Sequence, residues 1–144
     1  MAYCTLDDIK SKRIPETTLI NLTDDEDLGV VAEAVVEGII GDVDELIDGY
    51  LRGRYSLPLD PVPGIVKALS ADIAVYNLYG RRAEFDIPKA VGEKFAAAMK
   101  ILDGIQAGKI ALGSAGVQAG TPSGAGAQTS GNARVFTRDS MKGF

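Results

Sequence analysis

The chain has 144 residues and a formal charge of −5, with 46% hydrophobic and 24% charged residues. That length and balance predict one soluble globular domain of ordinary size. Histidine and tryptophan are absent and Cys4 is the one cysteine, which excludes an imidazole-based catalytic triad, a Cys/His zinc site and an intrachain disulfide.

In chain order, Thr5-Leu6-Asp7-Asp8 reads as a helix start. Thr5 can cap, the two aspartates suit the positive end of the dipole, and Leu6 and Ile9 face inward. Pro15 limits this helix, and Pro15-Glu16 opens one more turn before Leu22. Thr23-Asp24-Asp25-Glu26 has the pattern of a capping box. Beyond it Leu28, Ala32, Val35, Ile39, Val43, Leu46 and Tyr50 step by three or four, which predicts a long second helix with one apolar stripe. Gly29, Gly38, Gly41 and Gly49 interrupt it. Each interior glycine costs roughly 1 kcal/mol against alanine, so packing offsets them or the helix bends near Gly38 to Gly41. Such glycines also let another backbone approach closely.

Pro58, Pro61 and Pro63 make a connector, with Pro63 opening a third helix striped by Ile65 or Val66, Leu69, Ile73, Tyr76 and Tyr79 or Gly80. Pro88 opens a fourth, striped by Val91, Phe95, Ala98, Leu102 and Ile105 and closed by Gly108. After Leu112 the composition changes. Residues 113–131 are almost entirely Gly, Ala, Ser, Thr and Gln, and residues 132–144 bring back aromatic and charged side chains. The expected fold is all-α: a bundle of about four helices in residues 1–112, a flexible linker in 113–131 and an extended C-terminal docking peptide in 132–144. Ordering backbone costs about 1–2 kcal/mol per residue, and the linker has little apolar to offset it, with Val117 its one hydrophobic side chain larger than alanine.

A search for chemistry excludes more than it finds. Cys4 has no evident base beside it, and burial as a small apolar residue is its simpler reading. Ser140 and Lys142 lie in a tail that cannot desolvate the lysine enough to make it a base. The acids Asp42, Asp44, Glu45 and Asp48 do not make a calcium loop, because Leu46 takes the third ligand position and Ile47 the glycine position. They read as a solvated face, and Asp24 to Asp27 as an acid-neutralised helix start. No Walker loop occurs, and the tail glycines follow no strand. No cofactor or metal site is expected. No apolar run is long enough to cross a bilayer, and the opening residues lack the regions of a signal peptide, so the chain is expected to be made in a cytoplasm. Its acidity makes it a poor free binder of nucleic acid.

The basic residues point to partners. Arg52 and Arg54 flank Gly53 at the end of the second helix, and Arg81 and Arg82 end the third. They either compensate helix C-termini or bind carboxylates across an interface, for which arginine is suited. Residues 24–48 contain no basic residue, so their charge faces solvent or meets arginines of a neighbouring copy. Gly38 and Gly41 join Arg52, Arg54, Arg81 and Arg82 as candidate interface positions. In the terminal peptide Val135, Phe136, Met141 and Phe144 are candidate anchors, and Arg134, Arg138 and Lys142 outweigh Asp139. Its two readings are a frayed end and a tethered peptide that docks on a partner.

The stretch Ile47-Asp48-Gly49-Tyr50-Leu51-Arg52-Gly53-Arg54-Tyr55-Ser56-Leu57-Pro58-Leu59 is the most recognisable in the chain. With Val62-Pro63, Ala71 to Arg82, the opening Tyr3-Cys4-Thr5 to Asp8-Ile9 and the closing Arg138-Asp139 to Gly143-Phe144, it resembles the family of small virion proteins of Mu-like phages and prophages. The resemblance implies a head–tail connector, adaptor or head-completion protein. Such a protein stands as a ring, twelve-fold by expectation, beneath the portal in the virion neck. The ring extends the DNA channel, with DNA as passing cargo, and meets an adjacent neck or tail-terminator protein. In comparable connectors a C-terminal extension reaches the portal. The family has no catalytic motif, so no active-site residue carries over and no enzyme is expected. An acidic channel wall would not hold passing DNA. The rival reading is a small cytoplasmic regulatory or antitoxin-like helical protein that binds one partner.

Overall fold

Five α-helices and no strand run through residues 2–113, the part of the chain that the computed structural model describes. They are α1 (Leu6–Lys12), α2 (Glu16–Thr23), α3 (Glu33–Leu51), α4 (Gly64–Gly80) and α5 (Lys89–Gln106). The expected all-α class is observed. The extra helix arises where a single turn was expected, because residues 16–23 close as a helix of their own between Pro15 and Asp24. No helix among the described residues is long and apolar enough to cross a membrane.

The first start signal works as expected. The Thr5 hydroxyl accepts from the Asp8 N–H at 3.3 Å, and the Asp8 carboxylate accepts from the Thr5 N–H at 3.0 Å, which makes a capping box. The second signal does not. Thr23 ends α2 rather than starting a helix: its buried hydroxyl donates to the Leu19 carbonyl at 2.8 Å and accepts from the Ala32 N–H at 3.1 Å. Asp24 then accepts from the Leu28 and Gly29 N–H groups at 3.0 and 2.6 Å, folding a loop around its carboxylate. Asp27 and Gly29 in that loop have φ of 58° and 73°, a left-handed conformation no helix can contain. The long helix therefore begins at Glu33, and Leu28, expected in its stripe, is 66% exposed.

The stripe of α3 is also rotated by one residue. Val36, Ile40, Val43, Ile47 and Leu51 are buried, where the expected set was Val35, Ile39, Val43, Leu46 and Tyr50. At four of the five positions the residue just before the buried one is also apolar or aromatic, so the pattern fits two registers, and packing against α4 and α5 selects one. Ile39 and Tyr50 border the core, while Leu46 is 38% exposed.

Helix α4 is the central element and packs on each of the other four. That is why it buries Ser70, Ala71, Ala74, Val75 and Leu78 besides Val66, Leu69 and Ile73, a wider face than one stripe. Its Tyr76 stacks on Phe95 of α5, centroids 3.9 Å apart. Ala98, Leu102 and Ile105 of α5 are buried as expected. Gly108 closes that helix at φ 79°: the Lys109 N–H reaches back to the Gly104 carbonyl at 2.8 Å and the Gly108 N–H to the Ile105 carbonyl at 3.1 Å, a Schellman turn.

Candidate functional site

The two arginine pairs have different surroundings. Arg81 and Arg82, at the end of α4, both grip Asp25. Arg81 reaches Oδ1 at 3.0 Å and pairs with Oδ2, and Arg82 reaches Oδ1 at 2.7 Å. The same guanidinium groups donate to the Leu22 carbonyl at 3.0 Å and the Asp24 carbonyl at 2.9 Å. Together they pin the 24–32 loop to α4, and the loop carries the exposed side chains of Leu28 and Val30. Arg52 and Arg54 follow α3 and are exposed. The Arg54 guanidinium lies over Gly108, 2.5 Å from where a β-carbon would stand. Arg52 takes part in no ion pair among the described residues.

Helix α3 has two unlike faces. Opposite its core stripe, Gly38, Gly41 and Gly49 are exposed, and a β-carbon built on any of them would meet nothing within 4 Å. Beside this face a groove of about 590 Å³ runs between residues 2–6 and α3. Leu6, Ile40 and Gly41 line it together with Glu37, Asp44, Glu45 and Asp48, and no basic residue does.

Under the groove lies a polar network that the sequence reading missed. The Tyr3 N–H donates to Asp44 at 3.2 Å, and the Tyr3 hydroxyl donates to Asp48. The Ser70 hydroxyl stands 3.2 Å from Cys4 Sγ and 3.4 Å from Asp44; its single proton serves one of them at a time. Burial pushes the Asp44 carboxyl up, against the hydrogen bonds from Tyr3 and Ser70. Burial, then the Asp48 hydrogen bond, raises the Tyr3 hydroxyl. Burial also raises the Cys4 thiol, so it stays protonated and is a weak nucleophile. The acids of α3 are thus not all a solvated face: Asp42 and Glu45 are exposed, while Asp44 and Asp48 turn partly inward. The available signal was their spacing of four residues beside Ile40 and Ile47, on the buried side of the helix. Among the described residues no acidic or sulfur cluster could hold a metal ion.

Three other carboxylates are tuned downward: Asp24, by hydrogen bonds from backbone N–H groups led by that of Leu28, and more strongly Asp8 and Asp25. Burial opposes ionisation of Asp8, but hydrogen bonds from Thr5, Lys12 and Lys67 outweigh it and hold the group at about 2. Hydrogen bonds from Arg81 and Arg82 hold Asp25 at about 2 as well. Both lie below the ordinary value of 3.8. Their stabilising contribution is complete above the unfolded value and is lost as pH falls from about 4 towards about 2. Asp44 has the opposite sign, since a raised carboxyl favours the folded state more as it becomes protonated. Urea midpoints should therefore fall along that acid limb, and Asp8→Asn with Asp25→Asn should flatten it. An unchanged limb in the double variant would refute this assignment.

The remaining candidates, Arg134, Val135, Phe136, Arg138, Met141 and Phe144, lie outside the described residues.

Comparison with known proteins places the chain among phage proteins. The family model described as "Bacteriophage Mu, Gp36" matches residues 3–130. The chain is 31% identical over 112 residues to Mu-like prophage FluMu protein gp36 of Haemophilus influenzae, covering 78% of this chain and 77% of that protein. It is 30% identical over 146 aligned positions to Gene product J of Escherichia phage Mu, covering 100% of this chain and 99% of that protein.

Proposed function

This chain belongs to the bacteriophage Mu Gp36 family and is a phage protein, and from that membership we propose that it is a structural head–tail connector subunit. Copies of it form a ring below the portal, twelve-fold on the family resemblance. The ring joins the DNA-filled head to the tail and continues the DNA channel. The role is architectural, not catalytic.

The observation that carries this reading is the outer face of α3. Glycine inside a helix costs roughly 1 kcal/mol against alanine, and no contact within the described residues calls for it at Gly38, Gly41 or Gly49. A helix of a neighbouring copy, laid closely against the bare backbone, supplies the missing packing reason. Exposed Arg52 at the end of the same helix meets that neighbour's acids. The inward-turned Arg81 and Arg82 hold the 24–32 loop in place, and Leu28 and Val30 on it add an apolar contact. In the assembled neck the terminal peptide, centred on Phe136 and Phe144, engages the portal or the adjacent neck protein.

Electron micrographs of lysates from a phage lacking this gene provide the test. Free tails beside tailless, DNA-filled heads are expected. Intact virions would overturn the proposal.

A further inference from the structure

We propose that in the free subunit the C-terminal segment, residues 132–144, docks into the groove between residues 2–6 and α3 of its own chain. The groove has an apolar floor of Leu6, Ile40 and Gly41 and an acidic rim of Glu37, Glu45 and Asp48. No basic residue lines it, and none of the three rim acids takes part in an ion pair among the described residues. The segment has the complementary character. Arg134, Arg138 and Lys142 stand against the single acid Asp139, interleaved with Val135, Phe136, Met141 and Phe144. Two other grooves do not suit it. One is lined by Lys12, Arg13 and Lys67 with Asp8 as its only acid. The other has a volume of about 20 Å³ and carries Arg13 and Lys94.

The connection allows the contact. The Leu112 N–H donates to the Tyr55 hydroxyl at 3.0 Å, so the chain leaves the fold close to the end of α3. A Gly/Ser-type stretch of about 20 residues has a root-mean-square span of about 25 Å. Helix α3 has 19 residues, which at about 1.5 Å per residue is nearly the same length. Such a tether presents the segment at roughly millimolar effective concentration, so at micromolar protein the chain's own segment outcompetes a neighbour's. The groove volume of about 590 Å³ lies within the ~300–1,000 Å³ range of sites that enclose a bound group. Because Gly41 lines the groove and also belongs to the bare face of α3, docking and ring packing exclude each other; that consequence alone rests on the connector reading.

The test is photo-crosslinking in the full-length chain, with benzoylphenylalanine replacing Phe136 and a mixture of isotope-labelled and unlabelled protein. Crosslinks are expected on residues 2–6 and 37–48, within single chains. Glu37→Lys combined with Glu45→Lys, both at exposed positions, should lower their yield roughly tenfold while the helical circular dichroism is retained. Asp42→Lys, on α3 but outside the groove lining, should leave the yield unchanged. Crosslinks scattered over the surface, products mixing labelled and unlabelled chains, or a yield indifferent to the charge reversal would each overturn the proposal. None of these outcomes bears on whether the assembled protein sits at the head–tail joint, which the lysate micrographs decide.

Discussion

Ile47→Ala should destabilise the chain by about 2–5 kcal/mol, a large part of the ~5–15 kcal/mol that holds a domain of this size together. Ile47 is fully buried in the last third of α3, a helix that packs on both α4 and α5. Truncation removes the transfer free energy of its lost methyl and methylene groups, and the neighbouring helices cannot collapse fully into the space. Leu46→Ala is the matched control. Leu46 is adjacent in sequence, equally apolar and 38% exposed, so its loss should cost no more than about 0.5 kcal/mol. The two registers of α3 predict opposite rankings for this pair, and urea denaturation of both variants distinguishes them. A larger loss from Leu46→Ala than from Ile47→Ala would mean that the helix is rotated from the position described.

Thr23→Val should cost about 1–3 kcal/mol although it preserves shape. The buried hydroxyl accepts from the Ala32 N–H at 3.1 Å, and that contact is what fixes the start of α3 against the end of α2. Valine leaves the donor without a partner in a half-buried place, and the desolvation cost then appears in full. Thr23→Ser should recover most of the loss. Thr23→Asp separates the observed role from that of a helix cap. Aspartate caps at least as well as threonine, so a cap would tolerate it. A carboxylate in a fully buried joint is costly, and a large destabilisation is expected. Melting curves of the three variants provide the check, and a neutral Thr23→Asp would restore the capping-box reading.

Asp24 shows why that reading was attractive and why it failed. The string Thr23-Asp24-Asp25-Glu26 has the residue types of a helix start. The same types also form loops, because a short carboxylate can satisfy backbone N–H groups without a helix. What chose between them lies far along the chain. Arg81 and Arg82, more than fifty residues away, hold Asp25 and the Leu22 and Asp24 carbonyls in the loop arrangement. A local pattern contains no information about that distant cation pair.

The candidate site divides in the same manner. The glycines of α3, the arginines ending α3 and α4 and the apolar, basic character of the terminal peptide were all legible as composition and position. The partners were not. Arg81 and Arg82 turned out to act within the chain, while Gly38 and Gly41 face open space. The Tyr3, Cys4, Asp44, Asp48 and Ser70 network joins three segments up to 66 residues apart.

By itself the sequence determined the all-α class, the proline starts of α4 and α5 to within a residue, the glycine close of α5, the cap at Thr5 and the family. These follow from periodicity, fixed proline φ, the left-handed freedom of Gly108 and residue order, all of which act within a few positions or are read directly from the string. The tertiary structure alone decided the register of α3, the end of α2 at Thr23 and the groove beside α3. The reason is physical: where two adjacent apolar residues fit a helix face equally well, or one carboxylate suits both a cap and a loop, the local energies nearly balance. Long-range packing then tips the choice.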